Sequence, residues 1–164
     1  MKIALILLIV FCFAFLGYKI ADYYISRKKF FSSFEILMSS IEADVTFTHD
    51  KLKYVIKRNC EKLNSRELIA LCDLIYQRLE DKKNIEVSLL DNISILKKDE
   101  KEFIYKYFSN IGRFDVMSLS NEMGTYKNKI KIKCDESREE CKKYASLFIK
   151  LGIIVGLLVC LLVI

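Results

Sequence analysis

The sequence predicts an all-α protein in which two transmembrane helices flank a small helical-bundle domain. Three observations carry that reading. Uncharged apolar runs stand at both ends, Ile3 to Gly17 and Leu151 to Ile164; apolar residues recur at steps of three and four through the middle; and the 164 residues include no proline. All 21 acidic side chains lie between the two runs. Such a chain is built to hold its charged middle at a bilayer.

Each apolar run alone is about 14 to 15 residues, roughly 22 Å of helix against a hydrocarbon core of about 30 Å. Full spans result when the first is read from Lys2 to Ala21 and the second from Ala145 to Ile164, each taking in one lysine, Lys19 and Lys150. Both lysines lie toward the middle of the chain, where their aliphatic stems can carry the ammonium to the headgroups. Tyr18, Tyr23, Tyr24 and Tyr144 flank the same ends as an interfacial belt. Lys19, Lys150 and Tyr144 are therefore the expected interface anchors. Domain bounds follow: a first span over 1–21, a helical domain over 22–143 with a long final helix, and a second span over 144–164.

Arg27, Lys28 and Lys29 on one side, and Arg138, Lys142 and Lys143 on the other, outweigh Lys2 beyond the first span. The positive-inside rule then places the middle in the cytoplasm of a two-span cell-membrane protein. A rival reading takes Lys2 and the run Ile3 to Leu16 as a cleaved signal peptide, but no small-x-small cleavage site follows that run.

The first helix continues beyond its span with Phe30, Phe34, Leu37, Met38, Ile41 and Val45 on one face, and Thr48 reads as a cap. Leu52, Val55, Ile56, Cys60 and Leu63 form a second stripe. Asn64 with Glu67 has the spacing of a capping box before Leu68, Leu71, Cys72, Ile75 and Leu79. A polar break at Asp81 to Asn84 precedes a short helix bearing Val87, Leu90 and Ile93. Asp99 with Glu102 opens the next, whose face is Phe103, Ile104, Tyr107, Phe108 and Ile111. Gly112 ends it and Asp115 caps the last helix, with Leu119, Met123, Tyr126, Ile130 and Cys134 in period. That helix either runs on into the bilayer, kinking near Gly124, or ends at Gly124 with another starting near Asp135.

Candidate chemistry is thin. With Lys2 and Lys150 set aside, 25 basic residues against 21 acidic leave about +4, so nucleic acid is not an expected partner and membrane lipid is, at the basic flanks. The six cysteines form no CxxC pair and the single histidine, His49, sits in a turn beside Asp50. No metal, cofactor or catalytic residue is expected, and no phosphate-binding glycine loop is present. One packing motif stands out. Gly152 and Gly156 form GxxxG within the second span and bare a ridge for another helix, either the first span near Gly17 or a second copy of the chain in a homo-oligomer.

Leu96, Lys97 and Lys98, an acidic amphipathic helix, then Ile111, Gly112, Arg113 and Asp115, and a long charged helix entering Leu151, Gly152, Gly156, Leu157 and Leu158 follow one another in order. This layout, with an amino-terminal span and a turn at Thr48, resembles the stage III sporulation protein AB family over essentially the full chain. The chain departs from that pattern at Leu119, where the family often has glutamine, and at His49, where it usually has proline. It also lacks the tryptophan that commonly precedes Leu96. The resemblance implies an all-helical domain similar to those of type II secretion inner-membrane platform proteins. It further implies a noncatalytic scaffold subunit of a secretion-like complex linking mother cell and forespore during endospore formation. Its setting would be the mother-cell side of the outer forespore membrane, beside an ATPase, stage III sporulation protein AA, and other subunits. The alternative is a standalone membrane-anchored regulatory or adaptor protein.

Overall fold

A computed structural model describes the backbone over residues 2–48, 52–111 and 116–163, and side chains over 8–44, 52–111 and 123–162. It is 87% helical, with no strand among the described residues. Helix α1 spans Lys2–Thr48, α2 Leu52–Cys60, α3 Arg66–Glu80, α4 Lys98–Ile111, α5 Val116–Glu140 and α6 Ser146–Val163. A 3₁₀ turn covers Val87–Leu90, and a π-helical segment, Cys141–Ala145, joins α5 to α6. Two compact units emerge: Met1–Lys28 with Asp135–Ile164, and Lys29–Cys134.

The Lys29–Cys134 unit closes around one apolar core. Phe30, Phe31, Phe34, Leu37, Met38 and Ile41 of α1 are fully buried in it, because helical period puts them on a single face. Val55, Ile56 and Cys60 of α2, Leu68, Leu71, Cys72 and Ile75 of α3, and Ile104, Tyr107 and Phe108 of α4 complete it with Met123, Ile130 and Cys134 of α5. Phe34 is its aromatic centre. The ring stacks on Phe30 at 6.1 Å, meets Tyr107 edge-on at 5.4 Å and lies 5.8 Å from Phe108, all within the range of favourable ring pairs.

Helix ends differ from the expected ones by a residue or two, for identifiable reasons. At α3 the cap is Ser65 rather than Asn64: Ser65 Oγ accepts from Leu68 N at 3.4 Å and donates to Glu67 at 2.9 Å. The backbone N–H of Asn64 instead donates to Ser33 Oγ at 3.2 Å, a tertiary bond invisible to local pattern. At α4, Glu100 rather than Glu102 turns back, accepting from Lys97 N at 2.8 Å while 1% exposed. Asp99 and Glu102 pair with Lys133 and Lys106.

Helix α3 ends in a Schellman motif. Lys83 N donates to Arg78 O at 2.9 Å and Lys82 N to Leu79 O at 3.4 Å, with Lys82 at φ 55°. Lysine stands where glycine is usual. The short helix expected around Val87 is the 3₁₀ turn; its Leu90 is buried while Val87 stays exposed. Helix α5 passes through Gly124 without ending there, and the departure from α geometry comes at Cys141–Ala145. Thr48 ends α1, but its side chain, like those of Val45 and Leu119, lies outside the described residues, as do His49, Asp50, Gly112, Arg113 and Asp115.

Candidate functional site: the terminal helix pair

In the other unit, the two ends of the chain pack against each other. A Cβ added to Gly17 would lie 2.5 Å from Phe148 O and 3.2 Å from the Cα of Gly152; one added to Gly152 would lie 2.6 Å from Phe13 O and 3.2 Å from the Cα of Gly17. Backbone meets backbone, which only glycine permits. A Cβ at Gly156 would sit 3.1 Å from the Cα of Val10 and 3.3 Å from the Cβ of Phe13. Pairing Val10 with Gly156 and Gly17 with Gly152 makes the helices antiparallel. The GxxxG ridge is thus occupied by the first span of the same chain.

Small residues carry this contact along the helices. Ala21 is fully buried on α1, and Ala145 of the π-helical segment and Cys160 of α6 are buried on the opposing side of the pair. Toward the open end the contact becomes aromatic: Tyr24 stacks on Tyr144 at 5.2 Å and on Phe148 at 6.0 Å. Tyr144 thus serves as a packing residue of the pair. Next comes an ion pair, Arg27 Nε to Glu140 Oε2 at 3.3 Å, with the arginine side chain 1% exposed. Counted from sequence among the headgroup-facing cations, Arg27 is instead withdrawn into the helix contact. Its charge is offset by Glu140, which leaves Lys28, Lys142, Lys143 and Arg138 exposed at this end.

The outer surface of the pair is apolar and open. Phe11 is 72% exposed, Leu161 74% and Leu162 87%, values that a soluble protein's core helix does not show. Both α1 and the run through α5 and α6 include stretches long and apolar enough to cross a membrane. Lys19 and Lys150 are exposed, the Lys19 ammonium resting 5.6 Å from the Phe15 ring.

The remaining residues singled out from sequence fall in the Lys29–Cys134 unit. Leu96 is a core residue, 6% exposed, whereas Lys97, just ahead of α4, and Lys98, its first residue, are exposed. Cys60 and Cys72 are buried together, and contact with Cys60 followed by burial drives the Cys72 thiol pKa far up. An inert packing thiol results. Recesses among the described residues of this unit include one of about 370 Å³ between α4 and α5, beside Glu102, Lys106 and Tyr126, and one of about 330 Å³ between α3 and the 3₁₀ turn, beside Leu74, Leu89 and Asn92. Sequence reasoning missed the pairing of buried Arg27 with Glu140, because Glu140 stands in the mixed-charge run Asp135, Glu136, Arg138, Glu139, which reads as a solvated helix face.

Comparison with known proteins yields one finding. The family model described as stage III sporulation protein AB matches residues 2–164. No curated protein and no solved structure matches the chain.

Proposed function

The chain belongs to the stage III sporulation protein AB family, and from that premise we propose that it is a noncatalytic platform subunit of a secretion-like complex, required for sporulation. The helix pair fixes the protein in the membrane by two spans, and the Lys29–Cys134 unit is the cytoplasmic part that meets an ATPase of the stage III sporulation protein AA kind. One observation carries the reading: Gly17, Gly152 and Gly156 bring the two apolar termini into backbone contact, the close packing that small residues allow between neighbouring membrane helices.

Topology is the first test. Cys60 and Cys134 are 5% and 1% exposed, so their labelling reports unfolding rather than sidedness. An Asn84→Cys variant places a thiol at an exposed loop position. Protection of that thiol from an impermeant maleimide until the cells are lysed is the expected result, and labelling in intact cells would sink the cytoplasmic placement. Detergent pulldown from sporulating cells should recover the ATPase; expression in vegetative cells without such a partner would favour a standalone adaptor.

A further inference from the structure

Lys142 and Lys143 sit in the π-helical segment, and with Ser146, Lys150 and the apolar Leu147, Leu151 and Ile154 they line a shallow groove of about 370 Å³ on the outer side of the helix. No acidic residue lines it. The groove has two zones in sequence order. Three ammonium groups occupy Lys142 to Lys150, and the three apolar side chains continue from Leu147 into the span, each 42–52% exposed.

The upper lysines lie where the helix departs from α geometry. An i→i+5 turn holds one more residue than an α turn, so the face above it is re-registered against the face below, and such insertions concentrate at functional positions. Lys142 and Lys143 both fall in this segment and line the groove that Lys150 shares. The Lys143 ammonium lies 5.3 Å from the Tyr144 ring, a cation–π contact that holds it at the groove while the side chain remains exposed. Arg27, by contrast, is consumed by Glu140. These three lysines therefore face outward in a cluster without an acidic neighbour in the groove.

We propose that this groove is a binding site for one anionic phospholipid, its phosphate held by Lys142, Lys143 and Lys150 and an acyl chain lying along Leu147, Leu151 and Ile154. Charge complementarity selects the headgroup and the apolar lower zone selects a lipid over a soluble phosphate. The proposal rests on the membrane-spanning reading of the helix pair.

The test uses the full chain in detergent micelles, titrated with phosphatidylglycerol or phosphatidylcholine and counted by native mass spectrometry. Phosphatidylglycerol should form a one-to-one adduct at least about tenfold tighter than phosphatidylcholine, on the order expected from several lysines near a headgroup. Lys142→Gln/Lys143→Gln/Lys150→Gln should abolish that preference, and the matching triple arginine variant should retain it. The preference should survive Lys97→Gln/Lys98→Gln/Lys101→Gln. Equal binding of the two lipids, or a preference that survives the first glutamine triple, overturns the site. Displacement of the lipid by glycerol phosphate at comparable concentration overturns the lipid assignment. Alkaline carbonate extraction separates this from the underlying reading: a chain released from membranes fails the membrane reading, and a retained chain without lipid preference fails only the site.

Discussion

Lys82 is a residue held in an unfavourable conformation by the helix end it terminates. Its φ of 55° is the left-handed region that glycine adopts freely, and the Schellman bonds of Lys83 and Lys82 to α3 depend on it. Lys82→Gly should raise stability by about 0.5–1 kcal/mol, the relief being partly offset by the greater freedom of unfolded glycine; urea denaturation reads this directly. Asp44 makes a second local prediction. The Arg58 guanidinium at 2.8 Å and the Asn59 amide at 2.7 Å hold its carboxyl below the ordinary value of 3.8. A depressed folded-state pKa stabilises the fold above the unfolded value, so the contribution is full at neutral pH and disappears as pH falls through the lowered one. Since Arg58 is half exposed, Asp44→Asn should cost no more than about 1 kcal/mol at pH 7. Denaturation repeated at pH 3 should show that difference shrinking.

Four glycines in helices have different neighbours, and this sets their ranking at the scale of elements. Gly17 and Gly152 face backbone carbonyl oxygens that a Cβ would approach to 2.5 and 2.6 Å, so neither helix can yield without the pair separating. Gly156 has slightly more room, and nothing lies within 4 Å of a Cβ at Gly124. Gly17→Ala and Gly152→Ala should therefore loosen the pair most and Gly156→Ala less. Gly124→Ala should stabilise α5 by about 1 kcal/mol through helix propensity alone. Thermal midpoints by circular dichroism in detergent would rank the four, and a stabilising Gly152→Ala would remove the close contact from the account. Sequence pattern located α5 and α6 and their apolar stripe because period 3.6 is local. It placed the irregularity at Gly124, where glycine weakens a helix; the π turn came at Cys141–Ala145, which contains neither glycine nor proline to announce it.

For the whole molecule, the division into two units makes a prediction about autonomy. Residues Lys29–Cys134 carry a core drawn from α1 through α5, enough apolar burial for a domain of this size to fold alone. A fragment over 29–134 should be soluble and helical and should melt cooperatively. Phe34→Ala should lower its stability by roughly 3–5 kcal/mol, as expected for a large ring removed from a packed core. A fragment that stays unfolded would show that the terminal helices are needed for that core to form.

The sequence by itself determined the helical class, the two apolar termini and nearly every core position, since hydrophobic period and the absence of proline act within a few residues of the chain. It also listed Gly17, Gly152 and Gly156, but left open whether their partner was another span or another copy. Only the tertiary structure decided that, by bringing residues more than a hundred positions apart to backbone contact. The same holds for Ser65 and Glu100 as caps, set by the packing of Ser33 and by burial, and for Arg27, whose charge is spent on Glu140. A charge count treats every lysine and arginine alike. Which of them meets water, lipid or a buried carboxylate is settled by which helix faces touch, and no local pattern encodes that.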